Sequence, residues 1–131
     1  MSRLRFSFAC FFALFVVLYK KLLPALSGRE GEKGEGNMLT WYVTYHCKKG
    51  QRAAFYQALC DLGVKAGSRA ENGNLRYDYY FAEEKEDDLL LVESWTNPSF
   101  QQAHCQTERF RKLQEIKARF CERVEIEKVN W

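Results

Sequence analysis

The sequence contains little material for a metal or nucleotide site. It has two histidines, His46 and His104, and five cysteines, none of them in a C-x-x-C pair. Structural zinc sites need closely spaced ligands of these types. The G-x-G-x-x-G and P-loop phosphate-binding motifs are also missing. We therefore predict no cofactor and no metal site, and we interpret the cysteines as reduced thiols.

Net charge is also missing from the part of the chain that is predicted to fold. Residues 1–37 hold six of the 20 basic residues and three of the 17 acidic ones, so residues 38–131 hold 14 of each. The formal charge of +3 therefore belongs to the first segment. Because a neutral domain is not attracted to phosphate backbones, we predict no nucleic-acid partner.

The N-terminal apolar run is too short for an ordinary membrane span. Residues 6–19 are 14 uncharged residues, against about 20 in a spanning helix. This length suits a signal peptide, although Lys20 and Lys21 follow it directly. Residues 1–37 are interpreted as a hydrophobic leader and flexible linker, or as sequence upstream of a true start at Met38. We expect a cytoplasmic protein; if residues 6–19 are a real signal or anchor, it is exported or membrane-bound.

Periodic patterns predict an α+β domain over residues 38–131. Alternating apolar residues indicate strands, and apolar residues three or four apart indicate helices. The predicted elements are a strand over Leu39–His46, a helix from about Arg52 to Gly67, strands over Leu75–Phe81 and Leu89–Trp95, helical segments after Asn97 and Thr107, and a strand over Val124–Val129. This order is the ferredoxin-like plan, an antiparallel four-stranded sheet with helices on one face.

Three local signals refine these elements. Asn72 and Gly73 tolerate positive φ and predict a turn before the second strand. Asn97 can cap a helix in which Pro98 takes the first position. Gly63 lies inside the first predicted helix, where we expect it only to weaken the helix. The apolar stripe of that helix is Phe55, Ala58, Leu59, Leu62 and Ala66.

Three patterns, in this order, resemble the antibiotic biosynthesis monooxygenase family. They are Arg69-x-Glu71-x-Gly73-Asn74-Leu75-x-Tyr77, then Val92-Glu93-x-Trp95, then Ala103-His104 followed by Phe110. The resemblance covers Met38 to about Asn130. It implies a dimeric α+β barrel in which each monomer has a pocket between its sheet and its helices.

A homodimer also agrees with the pattern of the strands. Tyr42 and Tyr80 are predicted on the sheet face that has no helices. Large aromatic side chains on such a face usually mark an interface, and a symmetric homodimer is the expected arrangement.

Members of this family include quinol and anthrone monooxygenases that use no flavin, haem or metal. The resemblance therefore implies a cofactor-independent monooxygenase whose partners are dioxygen and a small quinol-like or other electron-rich aromatic molecule. Removal of a phenolic proton gives an anion that can reduce dioxygen. The protein has to bind the substrate, accept the proton and stabilise the developing charge.

His104 and Glu93 are the predicted catalytic residues. His104 is the leading base, and structural packing at the helix start is the alternative. Glu93 is expected on the helix side of the sheet, where a buried carboxylate needs a partner. Arg69 and His104 are the expected partners. His46, at the end of a strand, is expected to be exposed.

Four residues are predicted to bind the substrate. Tyr77 and Tyr79, together with Leu75 and Phe81, are expected on the helix side of the second strand, where their hydroxyl groups can orient a quinol. Trp95 is expected to line an aromatic pocket, and Arg69 to contribute a positive charge. For the three aromatic residues, packing in the core is the alternative.

Two other functions stay open from the sequence. Relatives that degrade a phosphorylated ketose-like signal share the pattern Gly73-Asn74-Leu75-Arg76 and a downstream histidine, which makes an isomerase the first alternative. A haem-binding protein or a dimer without catalysis is the second. Haem-degrading relatives carry an asparagine on the first strand, and residues 38–46 contain none.

Overall fold

The computed structural model of the protein describes residues 3–7 and 37–129. Its strands are β1 (Arg3–Ser7), β2 (Leu39–Cys47), β3 (Asn74–Phe81), β4 (Asp88–Trp95) and β5 (Cys121–Val129). Its helices are α1 (Arg52–Leu62), α2 (Val64–Arg69), α3 (Pro98–Cys105) and α4 (Glu108–Phe120). The predicted order of elements is confirmed, with the first helix divided in two.

The strands form one antiparallel sheet in the order β1-β5-β2-β4-β3. The central strand β2 pairs with β4 and β5, so that Val43 lies between Leu91 and Ile126. Strands β2 to β5 are the predicted four-stranded sheet, and the helices pack on one face of it. The ferredoxin-like α+β fold is therefore confirmed.

Strand β1 extends this sheet beyond the prediction. Residues 3–7 pair with residues 123–127 of β5 and add a fifth strand at its edge. Apart from residues 6 and 7, the apolar run lies outside the described residues, and so does the linker up to residue 36. The interpretations of residues 1–37 as a leader, and of Met38 as the start, stay predictions.

The core lies between the helices and the sheet because alternate strand residues are apolar on that face. Phe55 of α1 packs edge-on against Tyr45 of β2, with ring centroids 5.2 Å apart. The buried core residues are Val43, Tyr45, Cys47, Phe55, Leu59, Val64, Tyr77, Leu89, Leu91, Trp95, Leu113, Cys121 and Val124.

Gly63 ends helix α1, and this corrects the prediction of one continuous helix to Gly67. Gly63 has φ +69°, a left-handed conformation that favours glycine because it lacks a Cβ atom. Its N–H donates to the Cys60 carbonyl at 2.9 Å, and helix α2 begins at the next residue. The change of direction leaves Ala66 exposed and places Gly67 and Ser68 inside α2.

A β-bulge at the start of β3 corrects the predicted alternation of that strand. Asn74 pairs with Trp95 and Arg76 with Ser94, so Leu75 is an extra residue in the ladder. Leu75 is consequently 55% exposed. Phe81 at the other end is 50% exposed, but it keeps the predicted helix-side position, with its ring 5.0 Å from that of Tyr56 in α1. Tyr77 and Tyr79 between them keep the predicted helix-side orientation, opposite Glu93 and Leu91.

Two further properties concern the helices and the cysteines. In the part of the chain that the structure describes, no helix has the length and apolar character needed to cross a membrane. The cysteines described there, Cys47, Cys60, Cys105 and Cys121, are free thiols.

Candidate active site

A small, partly open cavity lies between the helix side of the sheet and helices α3 and α4. Its volume is about 30 Å³, which gives room for one or two groups of the size of water. The wall consists largely of apolar and aromatic side chains. Its polar residues, apart from tyrosines, include Glu93, Gln101, His104 and Lys117, and its rings include Trp41, Tyr45, Tyr77 and Phe110.

His104 reaches this cavity because the start of α3 is fixed by its cap. The Asn97 side chain accepts hydrogen bonds from the backbone N–H groups of Ser99 and Phe100, at 3.0 and 3.4 Å. Pro98 occupies the first turn, as predicted. Almost two turns later, the His104 side chain is 3% exposed and lies 4.9 Å from the Trp95 ring. The helix start and the inward direction of His104 are therefore confirmed.

The partner of His104 is Glu71, which corrects the predicted pairing of His104 with Glu93. Nδ1 of His104 lies 2.7 Å from Oε2 of Glu71. The other oxygen of this carboxylate, Oε1, accepts a hydrogen bond from Arg109 at 3.1 Å. Glu71 lies in the turn between α2 and β3, which packs against the first turn of α3 at Phe100. The three residues form a chain from helix α4 to the ring that lines the cavity.

Burial keeps the imidazole of His104 largely neutral. Loss of water around the ring lowers the pKa of His104, and the Glu71 carboxylate opposes this effect by attracting the charged form. A carboxylate that accepts the Nδ1–H proton fixes the tautomer, so that Nε2 carries the lone pair. This arrangement is suited to accept a proton at Nε2.

Glu93 faces the same cavity but has a different partner from those predicted. Its side chain, 5% exposed, accepts a hydrogen bond from Nε1 of Trp95 at 3.2 Å. Burial raises the pKa of Glu93 to about 7, with the Trp95 hydrogen bond and Lys117 acting in the opposite direction. Near neutral pH this carboxyl group can therefore both accept and donate a proton.

The predicted substrate-binding residues separate into two places. Tyr77 lines the cavity, and Trp95 is fully buried behind His104 and Glu93 as part of the core. Tyr79 and Arg69 instead line an open groove of about 280 Å³ between α1, α2 and β3. Arg69 is paired there with Asp78, so the prediction that it is the partner of Glu93 is wrong, and its substrate-binding role stays a prediction.

The other histidine is built into the sheet. His46 was expected to be exposed, but its side chain is only 12% exposed and its Nδ1 lies 2.7 Å from Oδ1 of Asp88. The reason is the cross-strand pairing of β2 and β4, which places His46 directly opposite Asp88. His46 is not part of the cavity wall.

Lys117 is the main residue of the cavity that the sequence analysis missed. Its side chain is 5% exposed, and its Nζ lies 5.4 Å from the Tyr45 ring centroid and 5.3 Å from that of Phe110. Burial lowers the pKa of Lys117. A signal was present, because Lys117 occupies the same helical stripe as Phe110 and Leu113. A lysine on an apolar stripe points to a buried cation.

The cavity therefore combines three kinds of chemistry in one place. His104 offers a neutral nitrogen base, Glu93 offers a carboxyl group that titrates near neutral pH, and Lys117 offers an ammonium group. Titratable groups with shifted pKa values that meet in a cavity are typical of active sites. This arrangement is suited to proton removal followed by stabilisation of an anion.

Comparison with known proteins gives one family. The model of the antibiotic biosynthesis monooxygenase family matches residues 38–116. A solved structure from Pseudomonas aeruginosa is 24% identical, with a TM-score of 0.67 over 75% of this chain and 97% of that chain. A proposed antibiotic biosynthesis monooxygenase from Nitrosomonas europaea is 20% identical, with a TM-score of 0.67 over 76% of this chain and 95% of its own. At these identities the structures show a common fold. No curated protein matches the sequence.

Proposed function

Because this chain belongs to the antibiotic biosynthesis monooxygenase family, we propose that it is a cofactor-independent monooxygenase acting on a quinol-like aromatic molecule. The observation that supports this proposal is the hydrogen-bonded pair His104–Glu71 at the wall of a partly open cavity. Cofactor-independent oxygenation requires a base that ionises a phenolic hydroxyl, and this pair supplies one.

His104 is the general base of the proposed reaction. Its Nδ1–H is donated to Glu71, so Nε2 accepts the phenolic proton. The pKa of His104 is lowered by burial, which keeps Nε2 available near neutral pH. Arg109 holds Glu71 in place through its other oxygen. A base positioned in this way loses little orientation freedom when the substrate binds.

The substrate supplies all the electrons in this reaction. One quinol and one dioxygen give one hydroxyquinone and one water, so one oxygen atom enters the ring and the other leaves as water. The phenolate transfers an electron to dioxygen, and the two radicals combine at a ring carbon that bears hydrogen. Loss of the C–H proton from this carbon supplies the electron pair that forms the new carbonyl as the O–O bond breaks and hydroxide leaves. Glu93, whose pKa is about 7, is the proposed acid that protonates this leaving group.

The cavity volume sets a condition on substrate binding. About 30 Å³ accepts a hydroxyl group but not an aromatic ring. The ring of the substrate must therefore lie at the mouth of the cavity or displace a side chain of its wall. Phe110 is the proposed residue, because it is only partly buried and its ring lies 5.3 Å from that of His104.

The proposal is tested by measuring oxygen uptake with a menadiol-type naphthoquinol and purified protein without added cofactor. We expect consumption of one dioxygen per quinol and formation of the hydroxyquinone. A phosphorylated ketose serves as the comparison substrate for an isomerase. The proposal fails if uptake does not exceed the uncatalysed rate, or if the products are quinone and hydrogen peroxide in equal amounts.

A further inference from the structure

Two buried cysteines face each other at one end of the central strand. Cys47 ends β2 and Cys121 begins β5, and both belong to the core, with exposed fractions of 4% and 2%. They are paired directly across the two antiparallel strands. Because both are free thiols, this end of the core carries a pair of adjacent thiol groups.

A β-bulge produces this pairing. His46 pairs with Arg123, and the register shifts at the next residue of β2. A regular ladder would place Glu122 opposite Cys47, but Cys121 takes that position. Glu122, which is left out of the pairing, is exposed. Bulges redirect side chains, and this one directs the second thiol into the core beside the first.

The spacing of the two backbones suits a disulfide bond. The backbone N–H of Cys47 donates to the Asp87 carbonyl at 2.8 Å, and that of Cys121 donates to the Lys117 carbonyl of α4. The two cysteines therefore do not donate to each other. Opposed residues of this non-hydrogen-bonded kind have Cα atoms about 4.5 Å apart, within the range of about 4.4–6.8 Å that disulfides span. Formation of the bond requires little movement of the backbone.

The two thiols are also chemically unequal. The Cys121 thiol donates a hydrogen bond to the Cys47 sulfur, which lowers the pKa of Cys47, and the same hydrogen bond together with burial raises the pKa of Cys121. The thiolate is the form that attacks oxidants. Cys47 is therefore the first to react, and Cys121 lies where it can react with the product.

We propose that Cys47 and Cys121 are a site of reversible oxidation, at which hydrogen peroxide converts the two thiols to a disulfide. The Cys47 sulfur attacks one peroxide oxygen, the O–O bond breaks, and the other oxygen leaves as water. The Cys121 sulfur then attacks the resulting sulfenic acid, and the S–S bond forms as the hydroxyl group leaves as a second water. Two thiols and one hydrogen peroxide give one disulfide and two waters. This inference does not depend on the proposed monooxygenase function.

The position of the pair determines the effect of the disulfide. Lys48 and Glu122, the next residues along the chain, are exposed, so the sulfur atoms lie directly beneath the surface. Cys121 follows the last residue of α4, and the bond would fasten this end of the helix to β2. The cross-link also closes a long loop of the chain, which stabilises a folded protein.

The test treats the folded full chain, at low micromolar concentration, with hydrogen peroxide and maps its cysteines by trypsin digestion and mass spectrometry without reduction. Trypsin cleaves after lysine and arginine, so it releases Cys47 in residues 34–48 and Cys121 in residues 120–123, separate from Cys60 and Cys105. We expect these two peptides to be joined by a disulfide. The melting temperature should rise by about 10 °C, and dithiothreitol should reverse both changes.

Two variants complete the test. Cys121→Ala removes the second thiol, so Cys47 should stop at the sulfenic acid, which dimedone traps. Cys60→Ala is the matched control, because it removes an exposed thiol of α1 and should leave the cross-link unchanged. Far-ultraviolet circular dichroism checks that each variant is folded. If Cys121→Ala does not fold, the peptide map of the wild type decides.

The inference is overturned if Cys47 and Cys121 stay free thiols at a peroxide dose that oxidises the exposed Cys60. It is also overturned if Cys47 is recovered with another cysteine as often as with Cys121. A cross-link that forms only after the protein is unfolded in urea would contradict it as well, because the folded sheet then does not bring the two thiols together.

Discussion

At the scale of single residues, two opposing effects set the chemistry of His104. Burial disfavours the charged ring, and the Glu71 carboxylate favours it. The ion pair of Glu71 with Arg109 holds the carboxylate at 2.7 Å from the ring. The balance gives a base that is both neutral and oriented, which the proposed proton transfer requires.

Replacement of Glu71 by glutamine removes the negative charge that stabilises the protonated form of His104. The pKa of His104 should fall further, and since the base acts in its neutral form, the acidic limb of the kcat/KM profile should move to lower pH. The amide orients the ring less well, so kcat should fall by at least about tenfold. Oxygen uptake across a pH series measures both effects. Glu108→Gln is the control, because Glu108 pairs with Arg111 on the surface; an unshifted profile in Glu71→Gln would contradict the assigned role.

Glu93 makes stability depend on pH in a specific direction. Its pKa in the folded protein is about 7, above the usual 4.5. The folded state therefore keeps a proton that the unfolded state releases, and stability is lost as pH rises between these two values. Relative to Glu93→Gln, the wild type should lose about 3 kcal/mol of unfolding free energy between roughly pH 4 and pH 8. Denaturant titrations at several pH values measure this loss, and parallel curves for the two proteins would refute it.

The sequence predicted that His104 faces the sheet, but it predicted neither the hydrogen-bond partner of His104 nor the presence of Lys117 in the cavity. The inward direction of His104 followed from Asn97 and Pro98, because a capped helix start fixes which residues face the sheet. Its partner Glu71 could not be predicted from spacing, since it lies 33 residues away in a turn whose path depends on the folded helices. Lys117 was missed because a lysine is usually a surface residue.

At the scale of secondary-structure elements, the turn before β3 determines how Glu71 approaches α3. Gly73 has φ +78°, and a Cβ atom there would lie 2.2 Å from Cδ2 of Phe100. The carbonyl of Gly73 also accepts a hydrogen bond from the backbone of Thr96 at 2.8 Å. Close packing of this turn against the first turn of α3 keeps Glu71 within reach of His104.

Gly73→Ala should destabilise the protein for two reasons, whereas Gly50→Ala should do so for one. Both glycines have positive φ, but a Cβ atom on Gly50 would meet nothing within 4 Å. We expect a loss of about 1 kcal/mol for Gly50→Ala from the backbone alone. For Gly73→Ala we expect a further loss of about 1–3 kcal/mol from overpacking against Phe100. Chemical denaturation measures both; equal losses would show that contact with Phe100 is unimportant.

Two of the departures from the sequence prediction, at Gly63 and at Leu75, have a common physical origin. Gly63 changes the direction of the chain between α1 and α2, and Leu75 forms a bulge in β3. Both irregularities leave the spacing of apolar residues nearly unchanged. A prediction from this spacing therefore continues the helix through Gly63 and the strand alternation through Leu75. Packing of neighbouring elements selects these irregular conformations.

At the scale of the whole molecule, the sheet face opposite the helices is proposed to form a homodimer. Tyr80 on this face is 43% exposed, and Leu75 of the same edge strand is 55% exposed. Light scattering during size exclusion should give the mass of a dimer at micromolar concentration, and Tyr80→Glu should shift the protein towards the monomer. A wild-type monomer under these conditions would contradict the proposed assembly.

The central claim is that His104 is the base of an oxygenation reaction, and the two histidines of the chain allow a matched test. The measurement is kcat for oxygen uptake with the naphthoquinol, for His104→Gln and His46→Gln, with circular dichroism confirming that both are folded. Glutamine cannot accept the proton, so His104→Gln should lower kcat by about 10²-fold or more. His46, hydrogen-bonded to Asp88 outside the cavity, should leave kcat unchanged when replaced. A folded His104→Gln variant with wild-type kcat would contradict the claim.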